Sequence, residues 1–221
     1  HVIPAAAAAP GRFGTRWHTD VRVQPVDAGT ASVEVVFRPE GGGEPLRRSF
    51  PFDGRTTLAI DDVVAVLGGE GSGTLVLRSD RGDILATSRT YTLTDGGSYG
   101  QSIAADGGID GFLARGLVLG LEGSERFRSN LGIASDVDQP VEVELRLYAS
   151  GGAELGRRTV VVPASGRRQI NDVFGFFGLD GGHACRLEFA TASSPGDRRV
   201  YVHGSVIDNR SGDPSTLPAI R

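Results

Sequence analysis

The residues best suited to chemistry are few and scattered. The four histidines are His1, His18, His183 and His203, and no two stand at the i, i+2 or i, i+4 spacing of a metal site. His183, Cys185 and His203 fall in stretches that read as strands. They would hold zinc or copper only if those strands were neighbours. Ser72, in "GEGSG", has the flanking glycines of a nucleophile elbow. However, a strand follows it, whereas an elbow leads from strand into helix. Asp61 and Asp62 could pair as acid and base. A second stretch of the chain carries Asn171–Asp172 in the same setting, which suits a helix cap better than a catalytic acid. A structural calcium would take Asp106 and Asp110 in "DGGIDG", or Asp208, Asn209 and Asp213 in "DNRSGDP". Turn chemistry explains the same residues. Arg81-Gly82-Asp83 spells a known adhesive tripeptide but sits where a hairpin turn is expected.

The composition narrows the classes further. All 23 basic residues are Arg, and Met is absent. Without Lys there is no Schiff base and no P-loop. A net charge of −4 offers no basic excess for phosphates, so nucleic acid is not an expected partner. No apolar run approaches a membrane span. The Arg-, Gly- and Ala-rich usage suggests a GC-rich bacterial genome. A chain that starts at His1 and lacks Met is expected to be a trimmed product whose leader has gone. The lone Cys185 lies in an apolar alternation and reads as a small buried hydrophobe.

The elements that position these residues come in two sets. "ASVEVVFRPEGGGEPLRRSF" (31–50) matches "VEVELRLYASGGAELGRRTV" (141–160), and "AIDDVVAVLG" (59–68) matches "QINDVFGFFG" (169–178). At an offset of 110, 11 of 39 positions from 31–69 are identical without a gap. Trp17/Phe127 and Asp20/Asn130 match in kind. Near 190–197 the second set carries about six extra residues. The reading is two homologous domains, 1–106 and 110–221, joined by a linker at 107–109.

Period-2 alternation marks Asp20–Val23, Ser32–Arg38, Arg47–Phe52, Thr74–Arg78 and Ile84–Leu93 as strands in the first set. The second-set strands are Asn130–Ile133, Glu142–Tyr148, Arg157–Val162, Ala184–Phe189 and Val200–Asp208. "IDDVVAVLG" and "INDVFGFFG" break that period. Each predicts one helical turn, capped by Asp61 or Asn171 and ended by Gly68 or Gly178. Trp17 is expected in a core. The fold class expected is all-β: two tandem immunoglobulin-like β-sandwich domains, each with one short helical turn. A jelly roll or small barrel is the alternative.

The run "IPA…PG…GTRWHTDVRV", then "IDDVVAVLG", then "ATSRTYT…GSYGQSI", resembles a class of uncharacterised β-sandwich modules of bacterial secreted and cell-surface proteins. The second set departs from that pattern, with "ERFRSN" for "TRWHTD". The resemblance implies an extracellular setting, a non-enzymatic role and no catalytic residues.

The Arg pairs 47–48, 157–158, 167–168 and 198–199 each fall on successive strand positions. One member of each should reach solvent and protect an edge. The stretch "VIPAAAAAPG" reads as an extended first strand, since five alanines between prolines cannot nucleate a helix. At the offset of 110 it falls on "FLARGLVLGL", its alanines on Arg115–Leu119. Val2, Ile3, Pro4, Ala5, Ala7 and Ala9 are its candidate intermolecular contacts, held to an edge by Pro4 and Pro10.

The expected function is a non-catalytic structural or interaction module of an extracellular bacterial protein, self-assembling through edge strands into a surface or filamentous assembly. The expected partners are further copies or neighbouring protein domains, and no cofactor is required. The alternative is a module that binds carbohydrate or another surface ligand.

Overall fold

The computed structural model describes residues 1–11, 14–26, 29–52, 56–105, 111–192 and 200–221. Asp106, Asp110, the expected linker 107–109, Arg198, Arg199 and most of the extra segment near 190–197 lie outside the described residues. The chain is all-β with two short helices, and it divides into two compact units, His1–Asp110 and Gly111–Arg221.

Unit one contains β1 (Val2–Pro10), β2 (Arg16–Pro25), β3 (Ser32–Pro39), β4 (Leu46–Pro51), β5 (Leu58–Ile60), α1 (Val63–Val66), β6 (Gly71–Ser79), β7 (Ile84–Thr94) and β8 (Gly97–Ala104). The strands run in the order β4-β3-β6-β1-β2-β7-β8, with β5 also on β2. All pairings are antiparallel. β1 lies along β6 from Val2 to Ala8 and meets β2 only at Ala9 and Pro10. It therefore closes one layer, β4-β3-β6-β1, and then crosses to a second, β5-β2-β7-β8. Between them lie Ile3, Ala6 and Ala8 of β1, with Val21, Val35, Phe37, Ile60, Leu75, Leu77 and Ile84. This is a β-sandwich-like arrangement, as alternating apolar strands require when each buries one face.

Unit two contains β9 (Phe112–Leu113), β10 (Arg115–Gly123), β11 (Phe127–Ala134), β12 (Val141–Tyr148), β13 (Glu154–Val162), β14 (Arg167–Ile170), α2 (Val173–Phe177), β15 (Gly182–Thr191), β16 (Val200–Asp208) and β17 (Pro214–Ile220). Its order is β13-β12-β15-β10-β17-β16-β11-β14, with β9 on β16. Leu121, Leu131, Ile133, Leu145, Leu147, Phe174 and Leu187 fill its core. Cys185 joins them at 2% exposure. Burial pushes its thiol pKa up, and nearby Glu122 adds to the rise.

Turn chemistry follows the glycines. Gly41, Gly42 and Gly43 all have positive φ in the β3–β4 connection, and Gly82 does so in the Arg81–Asp83 turn between β6 and β7.

Four sequence expectations need correction. The N-cap positions are held by Asp62 and Asp172, one residue beyond Asp61 and Asn171, both in the left-handed region at φ 46° and 60°, and only the Asp172 carboxylate caps, accepting the Gly175 N–H at 3.1 Å. The Asp61 carboxylate accepts from Arg22 Nη2 at 2.7 Å. Trp17 is half-buried rather than in the core. His203 on β16 is not a neighbour of His183 and Cys185 on β15, since β15 pairs with β10 and β12. Finally, the alanine run does not match Arg115–Leu119. Ile3 faces Leu75, which faces Phe37 on its other side; in unit two Leu187 faces Leu147 and, on its other side, Val118, which is 115 residues beyond Ile3. Ala7 lies 12 residues before the Thr19 hydroxyl that bonds it, whereas Glu122 lies only 7 before Ser129, so the connection after β1 is longer than the one after β10 and the offset of 110 fails ahead of it.

Candidate functional site

Hydroxyl clamps support β1 in unit one and β10 in unit two. In unit one, Thr19 Oγ1 of β2 accepts the Ala7 N–H at 2.7 Å and donates to the Ala7 carbonyl at 3.1 Å. Thr19 is fully buried and also meets Thr90 Oγ1 at 2.9 Å. In unit two, Ser129 Oγ accepts from the Glu122 N–H at 2.8 Å and donates to its carbonyl at 2.7 Å. A second shared device holds each helix. The Asp62 N–H donates to Asp20 Oδ1 at 3.0 Å, and the Asp172 N–H donates to Asn130 Oδ1 at 3.1 Å. Both are scaffold tasks, since they satisfy backbone groups that would otherwise lose water without a partner.

Glu122, so clamped, supports a cleft in unit two. Its Oε2 lies 2.9 Å from His183 Nδ1, and its Oε1 accepts the Ala184 N–H at 3.1 Å. Ala184 has φ 50°, an uncommon value for a residue with a side chain. The cleft of about 640 Å³ is lined by Glu122, Arg126, Phe127, Gly182, His183 and Val206, among others. Arg126 lies over the Phe127 ring at 5.1 Å and reaches Asp208 at 3.5 Å. His183 is 87% exposed, so the carboxylate orients an imidazole at the cleft rim. Cys185 supplies no nucleophile: burial keeps its thiol protonated, and its Sγ is directed to the His183 carbonyl at 3.7 Å. The cleft can offer hydrogen bonds, one cation and one aromatic edge to a ligand.

Unit one bears a charged and aromatic surface instead. His18 Nδ1 meets Asp62 Oδ2 at 2.8 Å, Arg22 lies against Asp61 and Asp20, and Arg89 stacks on Tyr91 at 4.7 Å. Burial raises the Tyr91 pKa, and the Asp20 and Asp61 carboxylates add to it.

The remaining candidates have local structural roles. Ser72 Oγ donates to Glu40 at 2.7 Å. Asp208 Oδ1 accepts the Arg210 and Ser211 N–H groups, which lowers its pKa, the Arg210 bond first. Among the described residues, no group of three or more His, Cys, Asp or Glu could hold a metal. Arg47 and Arg48 are both exposed, Arg48 over Phe50. Arg157 meets Glu144 and Glu154, while Arg158 lies over Phe177. Arg167 is buried and Arg168 exposed.

Val2, Ile3, Pro4 and Ala5 are buried, Ile3 in the core of unit one, and Ala7 and Ala9 are half-buried. Sequence reasoning missed the Glu122–His183 pair, whose members are 61 residues apart. It carried no local signal.

No protein-family model matches the sequence, and no curated protein matches it. A solved structure of infectious bursal disease virus, Gx strain, overlaps 93% of this chain at 12% identity and a TM-score of 0.25. The chain spans 60% of that viral chain's length. A likeness at this level carries no argument about fold or role. No helix among the described residues is long and apolar enough to cross a membrane.

Proposed function

We propose that the chain is a non-catalytic structural and interaction module of an extracellular bacterial protein. In this reading it is a tandem duplication of an immunoglobulin-like sandwich that associates with further copies through an edge strand. One observation carries it. The polar residues that recur in the two units, Thr19 with Ser129 and Asp20 with Asn130, are engaged in holding backbone. The strand neighbours also recur: β4-β3-β6-β1 answers to β13-β12-β15-β10, and β5-β2-β7-β8 to β14-β11-β16-β17. What the two units have in common is therefore what folding needs. Sedimentation of the purified chain from micromolar to millimolar concentration tests the association. Growth of larger species with concentration supports it, and a single monomeric species throughout overturns it.

The cleft beside Phe127, Arg126 and His183 favours a second reading, a module that binds carbohydrate or another surface ligand. Screening against bacterial polysaccharides tests that reading: saturable binding lost in His183→Ala supports it, and no binding to any glycan overturns it.

A further inference from the structure

The cleft of unit two carries groups that its scaffold does not call for. In unit one, Ala7 takes the same kind of hydroxyl clamp that Glu122 takes in unit two, yet Ala7 has no carboxylate. The clamp therefore does not account for the Glu122 side chain. The rim is also firmly held. Asn209 donates its N–H to the Arg126 carbonyl at 2.7 Å and its Nδ2 to the Ser124 and Glu125 carbonyls at 3.4 and 3.2 Å. Its Oδ1 accepts from Arg128 Nη1 at 2.6 Å. One residue thus fixes the β10–β11 turn, from which Ser124 and Arg126 line the cleft. The glycines beside it leave no room for side chains. A carbon on Gly181 would stand 2.3 Å from the Gly123 carbonyl, and one on Gly182 would stand 2.5 Å from the Phe174 ring.

The carboxylates at this cleft are engaged, whereas several donors are not. Glu122 uses Oε2 on His183 Nδ1 and Oε1 on the Ala184 N–H. Asp208 uses Oδ1 on the Arg210 and Ser211 N–H groups and Oδ2 on Arg126 Nε. Among the described residues, the two Nη groups of Arg126 make no hydrogen bond, and its side chain is 63% exposed. Ser124 Oγ accepts the Phe127 N–H at 3.1 Å, which leaves its own proton to give. An ionised Glu122 only accepts, so His183 Nδ1 holds the ring proton. Nε2 of the neutral imidazole then keeps a lone pair on an exposed ring.

We propose that this cleft binds a uronate, a sugar ring that carries a carboxylate beside its hydroxyls. This rests on the carbohydrate reading above and names the class of sugar. The planar carboxylate matches the paired Nη donors of Arg126, with the Ser124 hydroxyl as a further donor. A ring hydroxyl donates to His183 Nε2, and Phe127 and Val206 bound the apolar side. A neutral sugar would leave the Arg126 donors unanswered. An Asp or Glu side chain of a peptide brings the carboxylate without the adjoining hydroxyl.

The test is titration calorimetry of the full chain with oligomers of galacturonate, glucuronate and mannuronate, with the methyl ester of each, and with poly-glutamate. At least one acid should bind, about tenfold or more tighter than its ester. Arg126→Gln should weaken the acid about tenfold and leave the ester unchanged. Arg48→Gln, on β4 of unit one, should change neither. Equal affinity for acid and ester, or binding of the esters alone, overturns the uronate and leaves the carbohydrate reading standing. Poly-glutamate bound as tightly as the acids overturns the sugar in favour of an acidic peptide. Acid binding that Arg126→Gln leaves intact overturns the placement in this cleft. No binding to any glycan overturns both readings. If Arg126→Gln fails to fold, Ser124→Ala, read in the same way, decides in its place.

Discussion

At the scale of single residues, two buried groups have measurable consequences. Thr19 satisfies both backbone groups of Ala7 from inside the core. Thr19→Val keeps the shape and removes the hydroxyl, leaving a buried N–H and carbonyl without partners. Unit one should lose about 1–3 kcal/mol, read by urea unfolding. His203 is 4% exposed, and its pKa is lowered from 6.5 to about 3, by burial first and by Arg167 second. Between those values the unfolded chain takes up a proton that the folded chain refuses. Its contribution to stability is therefore complete above about pH 6.5 and is lost as pH falls toward 3. In a comparison of unfolding curves across that window, His203→Leu should show a flatter decline than the wild type.

At the scale of elements, close approach of strands decides what can change. A side-chain carbon on Gly73 of β6 would stand 2.2 Å from the Arg38 carbonyl and 2.6 Å from the Phe37 ring. Gly73→Ala should force β3 away from β6 and destabilise unit one by about 1–3 kcal/mol, seen as a lowered Tm. The same scale shows what was legible in the sequence. Alternation placed the β3 and β12 strands within a residue or two, because a half-buried strand must alternate. The helical turns were legible from the break in that period. Their caps were misplaced by one residue, because the bonds that fix Asp62 and Asp172, from their N–H groups to Asp20 and Asn130, come from a strand 42 residues away. The alanine register failed for another reason: Ala7 stands 12 residues before Thr19 but Glu122 only 7 before Ser129, and a difference in connection length leaves no mark within the run.

At the scale of the whole molecule, each unit has its own core. The segment 111–221 expressed alone should unfold cooperatively, with the same response to acid as the full chain. A non-cooperative melt of that segment would count against independent folding. The candidate cleft was the least legible feature. Glu122 and His183 meet only because β10 and β15 pair, and nothing in either stretch announces the other.

The solitary Cys185 has a practical consequence. Sealed beneath Gly182 and Phe174, the thiol is reached by a reagent only when the second unit opens. The native protein thus contains its own stopwatch. Mass increments from a thiol-reactive label should accumulate at the rate at which that half breathes, and Thr19→Val, confined to the other half, should leave the clock unchanged.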